Sequence, residues 1–569
     1  MARPALNTRF ASPAGSRDNL ILPSSAVSET SSISGKFSLA ADPLTWGSAL
    51  HRNAAEPDDA LHSPTVRNGK IVDDHGNIWS ARGLQNLGCL FILATAMLML
   101  FLGYPIMSHV EKLLSSASSQ NLGVNATGQV PSMGNFGLID LDTPKDAYTK
   151  KNLRDGSEWT LVFSDEFETE GRTFWPGEDP YWEAVDMHYW STNNLEWYDP
   201  AAVTTENGSL KISLTDKPTK GMDYQGGLVS TWNKFCFTGG LFEASVVLPG
   251  AHNIVGLWPA VWAMGNLGRA GYGATLEGTW PYTYDACDVG TAPNQTINGK
   301  PELALTSGGE SSNYELSYLN GQRLSRCTCP GESHPGPMHS DGTYVGRSAP
   351  EIDMFEAQVD GTGVGHVSQS GQFAPFNAAY KWNNASYMTI EDDTVSELNS
   401  YSGGNYQQST SVVSSTNQSC YQLDDGCFAV YGFEYKPGYE ADDAYIAWIN
   451  NGKLAWTLDA GGVGADSSVE ISARAIPQEP MYLLANLGMS YNFGSVDLEH
   501  IIFPAIMLID YIRIYQDPDN INVGCDPEDF PTAEYINTYS EAYNNPNLTT
   551  WKDDYKQTVP RNSLVDGCD

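Results

Sequence analysis

Ala349-Pro-Glu-Ile-Asp-Met-Phe-Glu-Ala357 places three carboxylic acids within six residues of an otherwise apolar, strand-like run. Side chains on a regular strand alternate between its two faces, so Glu351 and Asp353 share a face while Glu356 falls on the other. All three share one face only if a one-residue bulge separates Asp353 from Glu356, and such bulges are enriched beside active sites. Two carboxyls on one face can perform retaining glycoside cleavage. One attacks the anomeric carbon and the other protonates the leaving oxygen, at a separation of ~5–5.5 Å. Asp353 between them would hydrogen-bond the nucleophile and raise its partner's pKa through like-charge proximity. For a motif this short, a solvated acidic strand face is the alternative reading.

Short β-branched and aromatic runs lie on both sides of this segment. They include Trp159-Thr-Leu-Val-Phe163, Leu210-Lys-Ile-Ser-Leu214, Leu241-Phe-Glu-Ala-Ser-Val-Val-Leu248, Tyr445-Ile-Ala-Trp-Ile449 and Met507-Leu-Ile-Asp-Tyr-Ile-Arg-Ile-Tyr515, separated by Gly, Pro, Asn and Asp. Many short strands with turn punctuation predict an all-β fold, a jelly-roll β-sandwich, over 158–516. An acidic, turn-rich extension follows over 517–569.

The N-terminal part reads differently. No Asp, Glu, Lys or Arg occurs from Gly83 to Val110, and the centre from Leu87 to Met107 is almost wholly apolar. About 20 such residues cross a hydrocarbon core of ~30 Å, which predicts a single transmembrane helix over 83–110. A core helix of this length rarely lacks polar residues all round. A cleaved signal peptide does not begin over eighty residues into a chain. Arg67, Lys70 and Arg82 precede the span and only Lys112 follows closely, so the N-terminal side is expected in the cytoplasm, a type II topology. Residues 1–82 then form a cytoplasmic tail, largely disordered over its Ser/Ala/Pro-rich first 65 residues, with a short hairpin within 66–82 that turns around Asp73-Asp-His-Gly76. Residues 111–157 form a Ser/Gly/Asn-rich lumenal stem.

The remainder of the sequence agrees with this sidedness. Asn-X-Ser/Thr acceptor sites occur at Asn125, Asn207, Asn294, Asn384, Asn417 and Asn547, and none precedes the helix. Eight cysteines follow the span and none precedes it, as in an oxidising lumen. Cys420 with Cys427 and Cys525 with Cys568 are the most local pairings. A zinc site at Cys327-Thr-Cys329 is disfavoured because a single residue intervenes and no second close pair accompanies it, so no metal is expected. The chain carries 31 Lys+Arg against 68 Asp+Glu, a net charge of −37. Beyond residue 110 the balance is 23 basic to 60 acidic. Such a surface repels phosphate backbones, so nucleic acid is not an expected partner.

Gly256-Leu-Trp-Pro-Ala-Val-Trp-Ala-Met-Gly265, Trp159 to Phe167 and Asp510 to Tyr515 resemble glycoside hydrolase family 16, the jelly-roll β-glucanases and transglycosylases. That family's Glu-X-Asp-X-X-Glu signature coincides with Glu351, Asp353 and Glu356. The resemblance implies that Glu351 is the nucleophile, Asp353 its assistant and Glu356 the acid/base, with no cofactor. Ser230-Thr-Trp-Asn-Lys-Phe-Cys-Phe-Thr-Gly-Gly240, Ala485-Asn-Leu-Gly-Met-Ser490 and the type II plan resemble more narrowly the fungal β-glucan synthesis-associated family, required for cell-wall β-1,6-glucan. The chain departs from the soluble glucanases at Ser245, where they usually carry Arg, and in a Cys-containing insertion over about 266–348.

Sugars present apolar faces rimmed by hydroxyls, so a glycan cleft needs aromatic platforms flanked by donors and acceptors. Trp258 and Trp262 lie in the Trp motif, Asn194 and Trp197 are plausible companions, and His366 and Gln369 follow the acids closely enough to reach a cleft. The sequence thus implies a lumenal or extracellular β-glucan hydrolase or transglycosylase held in a secretory-pathway membrane. A glycan-binding or scaffold protein that keeps the acids without turnover is the competing class. Linkage, compartment and protein partners are left open by the sequence.

Overall fold

The computed structural model describes residues 137–569, the stretch 65–72 and four isolated positions, 88, 91, 95 and 97. The tail expected over 1–82 apart from 65–72, the helix expected over 83–110 apart from those four positions, and most of the stem therefore lie outside the described residues. Among the described residues no helix is long and apolar enough to cross a membrane. The hairpin in the described stretch is not the one expected around Asp73–Gly76, which lies outside the described residues: Thr65–Arg67 pairs with Lys70–Val72 across Asn68-Gly69, both at positive φ (54° and 72°). These are the dihedrals that a two-residue hairpin turn requires.

The remainder is built on two sheets, antiparallel except where Glu196–Tyr198 runs parallel to Tyr224–Ser230. The first takes β2 (Glu196–Tyr198), β4 (Tyr224–Ser230), β6 (Trp258–Gly265), β7 (Glu351–Val359), β8 (Gly365–Gln372), β9 (Gln407–Ser415) and β13 (Met481–Gly488), in the order β9-β8-β7-β6-β13-β4-β2. The second takes β1 (Glu158–Asp165), β3 (Ser209–Leu214), β5 (Gly240–Val247), β10 (Ala429–Lys436), β11 (Tyr445–Asn450), β12 (Lys453–Asp459) and β14 (Ala505–Gln516). Its order is β12-β11-β10-β5-β14-β1, with β3 also pairing β14. Alternate residues meet between the sheets. Val261, Ile352, Phe355 and Leu483 pack into one core with Phe242, Phe433, Trp448 and Ile514. Burial of such side chains at ~1.5–3 kcal/mol each is the main force holding the two sheets together. The expected β-sandwich is the fold found, and it leaves one face of the first sheet turned away from the core.

The cysteine pairing corrects the sequence reading at one bond. Cys420–Cys427 forms as expected, but Cys525 pairs with Cys236 and Cys568 with Cys329, and Cys287–Cys327 completes the set. The C-terminal extension does not close on itself because it packs along the insertion. The Ala274 N–H donates to Leu548 O and the Cys329 N–H to Arg561 O. Leu267, Ala274 and Leu324 share a small core with Tyr535, Ala542 and Trp551. The Arg323 guanidinium lies 3.8 Å from the Trp551 ring centroid. A buried ion pair, Arg347–Glu479 at 2.7 Å, fixes the end of the insertion, and Arg347 also donates to Pro531 O of the extension.

Candidate active site

The three acids stand on β7, and the register there is broken between Asp353 and Glu356. Asp353 lies opposite Ser370 of β8 and Glu356 opposite Ser368, so Met354 and Phe355 together face Gln369 alone. The pairing with β6 shifts at the same place, from Ala260↔Glu356 and Val261↔Phe355 to Trp262↔Asp353. This bulge turns both Met354 and Phe355 into the core. It thereby puts Glu351, Asp353 and Glu356 on the face away from the core, hereafter the cleft face.

A bulge leaves strand carbonyls without ladder partners, and buried carbonyls need replacements. Two core side chains supply them. Trp448 Nε1 donates to Asp353 O (2.9 Å), and Gln369 Nε2 donates to Met354 O (3.0 Å) and Ile449 O (2.9 Å). Gln369 is therefore not a cleft residue. It alternates with Ser368 and Ser370 and points into the core, where it holds the bulge in place.

Indole donors meet both glutamates. Trp280 Nε1 donates to Glu351 Oε2 (2.7 Å) and Trp258 Nε1 to Glu356 Oε1 (3.0 Å). One face of Trp258 is stacked on Phe493 at 4.2 Å and 3°. Trp280 belongs to the insertion, which packs with Trp262, Met264 and Tyr482 over the cleft face. No Lys or Arg among the described residues forms an ion pair with any of the three acids, so burial is uncompensated by positive charge. Burial pushes Glu351 up to about 8, aided by the charge of Glu356, and pushes Glu356 up to about 7. Asp353 rises as well, through burial and then the two glutamates, and interacts directly with Glu351. The site thus combines three closely interacting carboxyls, two of them hydrogen-bonded to indoles, with apolar walls.

The other expected cleft residues divide. Trp262 Nε1 donates to Asn486 Oδ1 (2.8 Å), and Asn486 Nδ2 reaches Tyr198 OH (3.3 Å). Asn194 donates to that same hydroxyl (3.0 Å) and to Glu196 (2.6 Å). Asn194 is buried in a polar chain leading to Trp262. Trp197 sits between Glu196 and Tyr198 and so points the opposite way. Its Nε1 donates to Asp186 and Lys220 lies over its ring, so it does not belong to the cleft face. His366 is paired with Gln358, beyond the Glu356 rung on the cleft face. Of the acceptor asparagines, Asn207 and Asn547 are exposed, Asn294, Asn384 and Asn417 are partly so, and Asn125 lies outside the described residues. The sequence reading missed Trp280 and Trp448. Trp448 stood in a run read only as a strand, and Trp280 lay in an insertion with no strand register to orient it.

Residues 48–568 match the family model for "Beta-glucan synthesis-associated protein SKN1/KRE6/Sbg1". The chain belongs to that family. It is 40% identical over 523 residues to the beta-glucan synthesis-associated protein KRE6 of Saccharomyces cerevisiae, covering 90% of this chain and 69% of the relative. It is also 40% identical over 525 residues to SKN1 of Candida albicans, covering 90% and 67%. A beta-glucanase of Rhodothermus marinus is 31% identical over 126 residues, 22% of this chain and 40% of that one. Among solved structures, the catalytic domain of an endo-1,3-beta-glucanase (laminarinase) from Thermotoga petrophila is similar at 21% identity. It covers 63% of this chain and 98% of its own, with a TM-score of 0.35. This family member therefore joins a β-glucan synthesis family to a β-sandwich carrying three clustered acids.

Proposed function

We propose that the protein is a retaining β-glucan glycosidase or transglycosylase of cell-wall β-1,6-glucan assembly. Glu351 attacks the anomeric carbon, Glu356 protonates the departing glycosidic oxygen, and Asp353 donates a hydrogen bond to Glu351. In the second step Glu356 takes a proton from the incoming water or sugar hydroxyl, and the glycosyl–Glu351 ester breaks. The observation that carries this reading is the bulge after Asp353, which gives three acids a single face where strand alternation would have split them. Two indole donors, one to each glutamate, support it by fixing both carboxyls.

The same reading places the domain in the secretory lumen or at the cell surface, anchored through residues 83–110 in type II orientation. The four disulfides support an oxidising environment. Protease added outside sealed microsomes is expected to remove only the first eighty or so residues. Cleavage near Glu351 in intact vesicles would contradict the topology. For the chemistry, the first-formed product from a β-glucan oligosaccharide should be the β-anomer by NMR. An α-anomer would contradict retention.

A further inference from the structure

Beyond the acids, the cleft face continues across β8 to β9. The rung Glu351↔Gln372↔Ser409 runs from the catalytic strand to β9, which lies about 10 Å away at ~4.8 Å per strand. Gln407, two residues before Ser409, falls on the same face. Its Nε2 donates to the hydroxyl of Tyr401 (2.7 Å), so that hydroxyl is held on the cleft side. Tyr401 is 50% exposed and Tyr406, in the turn between them, 62% exposed.

A second segment completes the cluster. The Tyr318 N–H of the insertion donates to Asn405 O (2.6 Å), and its ring meets that of Tyr406 edge-on at 5.6 Å and 78°. Two exposed phenols and a half-buried one therefore converge from segments more than eighty residues apart. The surrounding chemistry is selective. In a protein with 68 acidic side chains, no Asp, Glu, Lys, Arg or His occurs from Asn399 to Leu423. That stretch offers no cation to an anionic polymer and no anion to a basic one. A neutral polyol finds ring faces for its C–H surfaces, with phenol, amide and serine groups for its hydroxyls.

We propose that Tyr401, Tyr406 and Tyr318 form a distal platform for a neutral β-glucan chain, which binds sugar units a few positions beyond the bond handled by Glu351 and Glu356. This rests on the reading of the acids as a glycan-cleaving site, and the platform would make the protein favour long chains. The test uses full-length protein carrying Glu351→Gln, so that nothing is turned over. β-1,3- and β-1,6-linked glucan fragments of increasing length serve as probes in isothermal titration calorimetry.

Affinity should rise with length and then level off. Adding Tyr401→Ala and Tyr406→Ala should lower affinity for the longest fragments about tenfold, ~1.4 kcal/mol, and leave the shortest binder unchanged. Tyr406→Phe, which keeps the ring, should retain most of the long-chain affinity. Equal affinity of parent and double variant at every length would overturn the platform while leaving the catalytic reading intact, and so would an equal loss at every length. A parent that binds no fragment at all would overturn both.

Discussion

Replacing Glu351 by Gln should make the protein more stable, and the gain should depend on pH. The native site holds this carboxyl's pKa up from 4.5 to about 8, chiefly by burial and then by the charge of Glu356. A group whose pKa is raised on folding is neutral in both states below about 4.5 and costs nothing there. As pH climbs towards 8 the unfolded chain ionises it freely while the native site resists, so stability falls. At ~1.36 kcal/mol per pKa unit the full penalty is ~5 kcal/mol above pH 8 and ~3 kcal/mol at pH 7. Glutamine removes that penalty and can still accept from Trp280 Nε1. It loses the charge-strengthened part of that bond and of the contact with Asp353, so a net gain of ~1–3 kcal/mol at pH 8 is expected. In thermal melts of purified protein the variant should exceed wild type by a few degrees at pH 8, with the difference shrinking towards pH 5. A variant less stable than wild type at pH 8, or a difference independent of pH, would refute the argument that burial strains this carboxyl.

Three further outcomes follow from the same geometry. Turnover needs one proton shared between Glu351 and Glu356, so kcat/KM should follow a bell with limbs near pH 7 and 8. A plateau from pH 4 to 6 in the rate profile would contradict it. Gln369→Leu strands Met354 O and Ile449 O in the core and should cost ~1–3 kcal/mol in denaturant titration, with kcat falling because the bulge is no longer held. Glu479→Ala leaves the Arg347 guanidinium buried and unpaired and should cost ~3–5 kcal/mol, read as lost yield of folded, disulfide-complete protein by non-reducing mass spectrometry.

Much of this architecture was legible before any coordinates, for reasons particular residues show. Period-two patterning marks strands such as Ser209–Leu214, whose burial alternates from Leu210 onward. The same parity argument required a bulge between Asp353 and Glu356, because three acids cannot otherwise share a face. Parity also exposes the errors. Gln369 and Trp197 each sit between two neighbours that face the cleft side, so alternation turns both away from it, the one despite its closeness to the acids and the other despite its aromatic ring. The pairing of Cys525 and Cys568 was misread because loop closure favours near partners. The extension instead runs along the insertion, a tertiary contact that no local pattern encodes. Trp280 escaped for the same reason: its indole reaches Glu351 across 71 residues of sequence.

The most direct test of the account is to trap the proposed glycosyl–Glu351 intermediate. Incubation with a 2-deoxy-2-fluoro-β-glucosyl donor bearing a good leaving group, followed by peptide mass spectrometry, should find one glycosyl adduct, on Glu351. Neither Asp353 nor Glu356 should be labelled, and Glu351→Gln should carry no adduct. An adduct on Glu356, or product release with no adduct on Glu351, would contradict the assignment of Glu351 as the nucleophile.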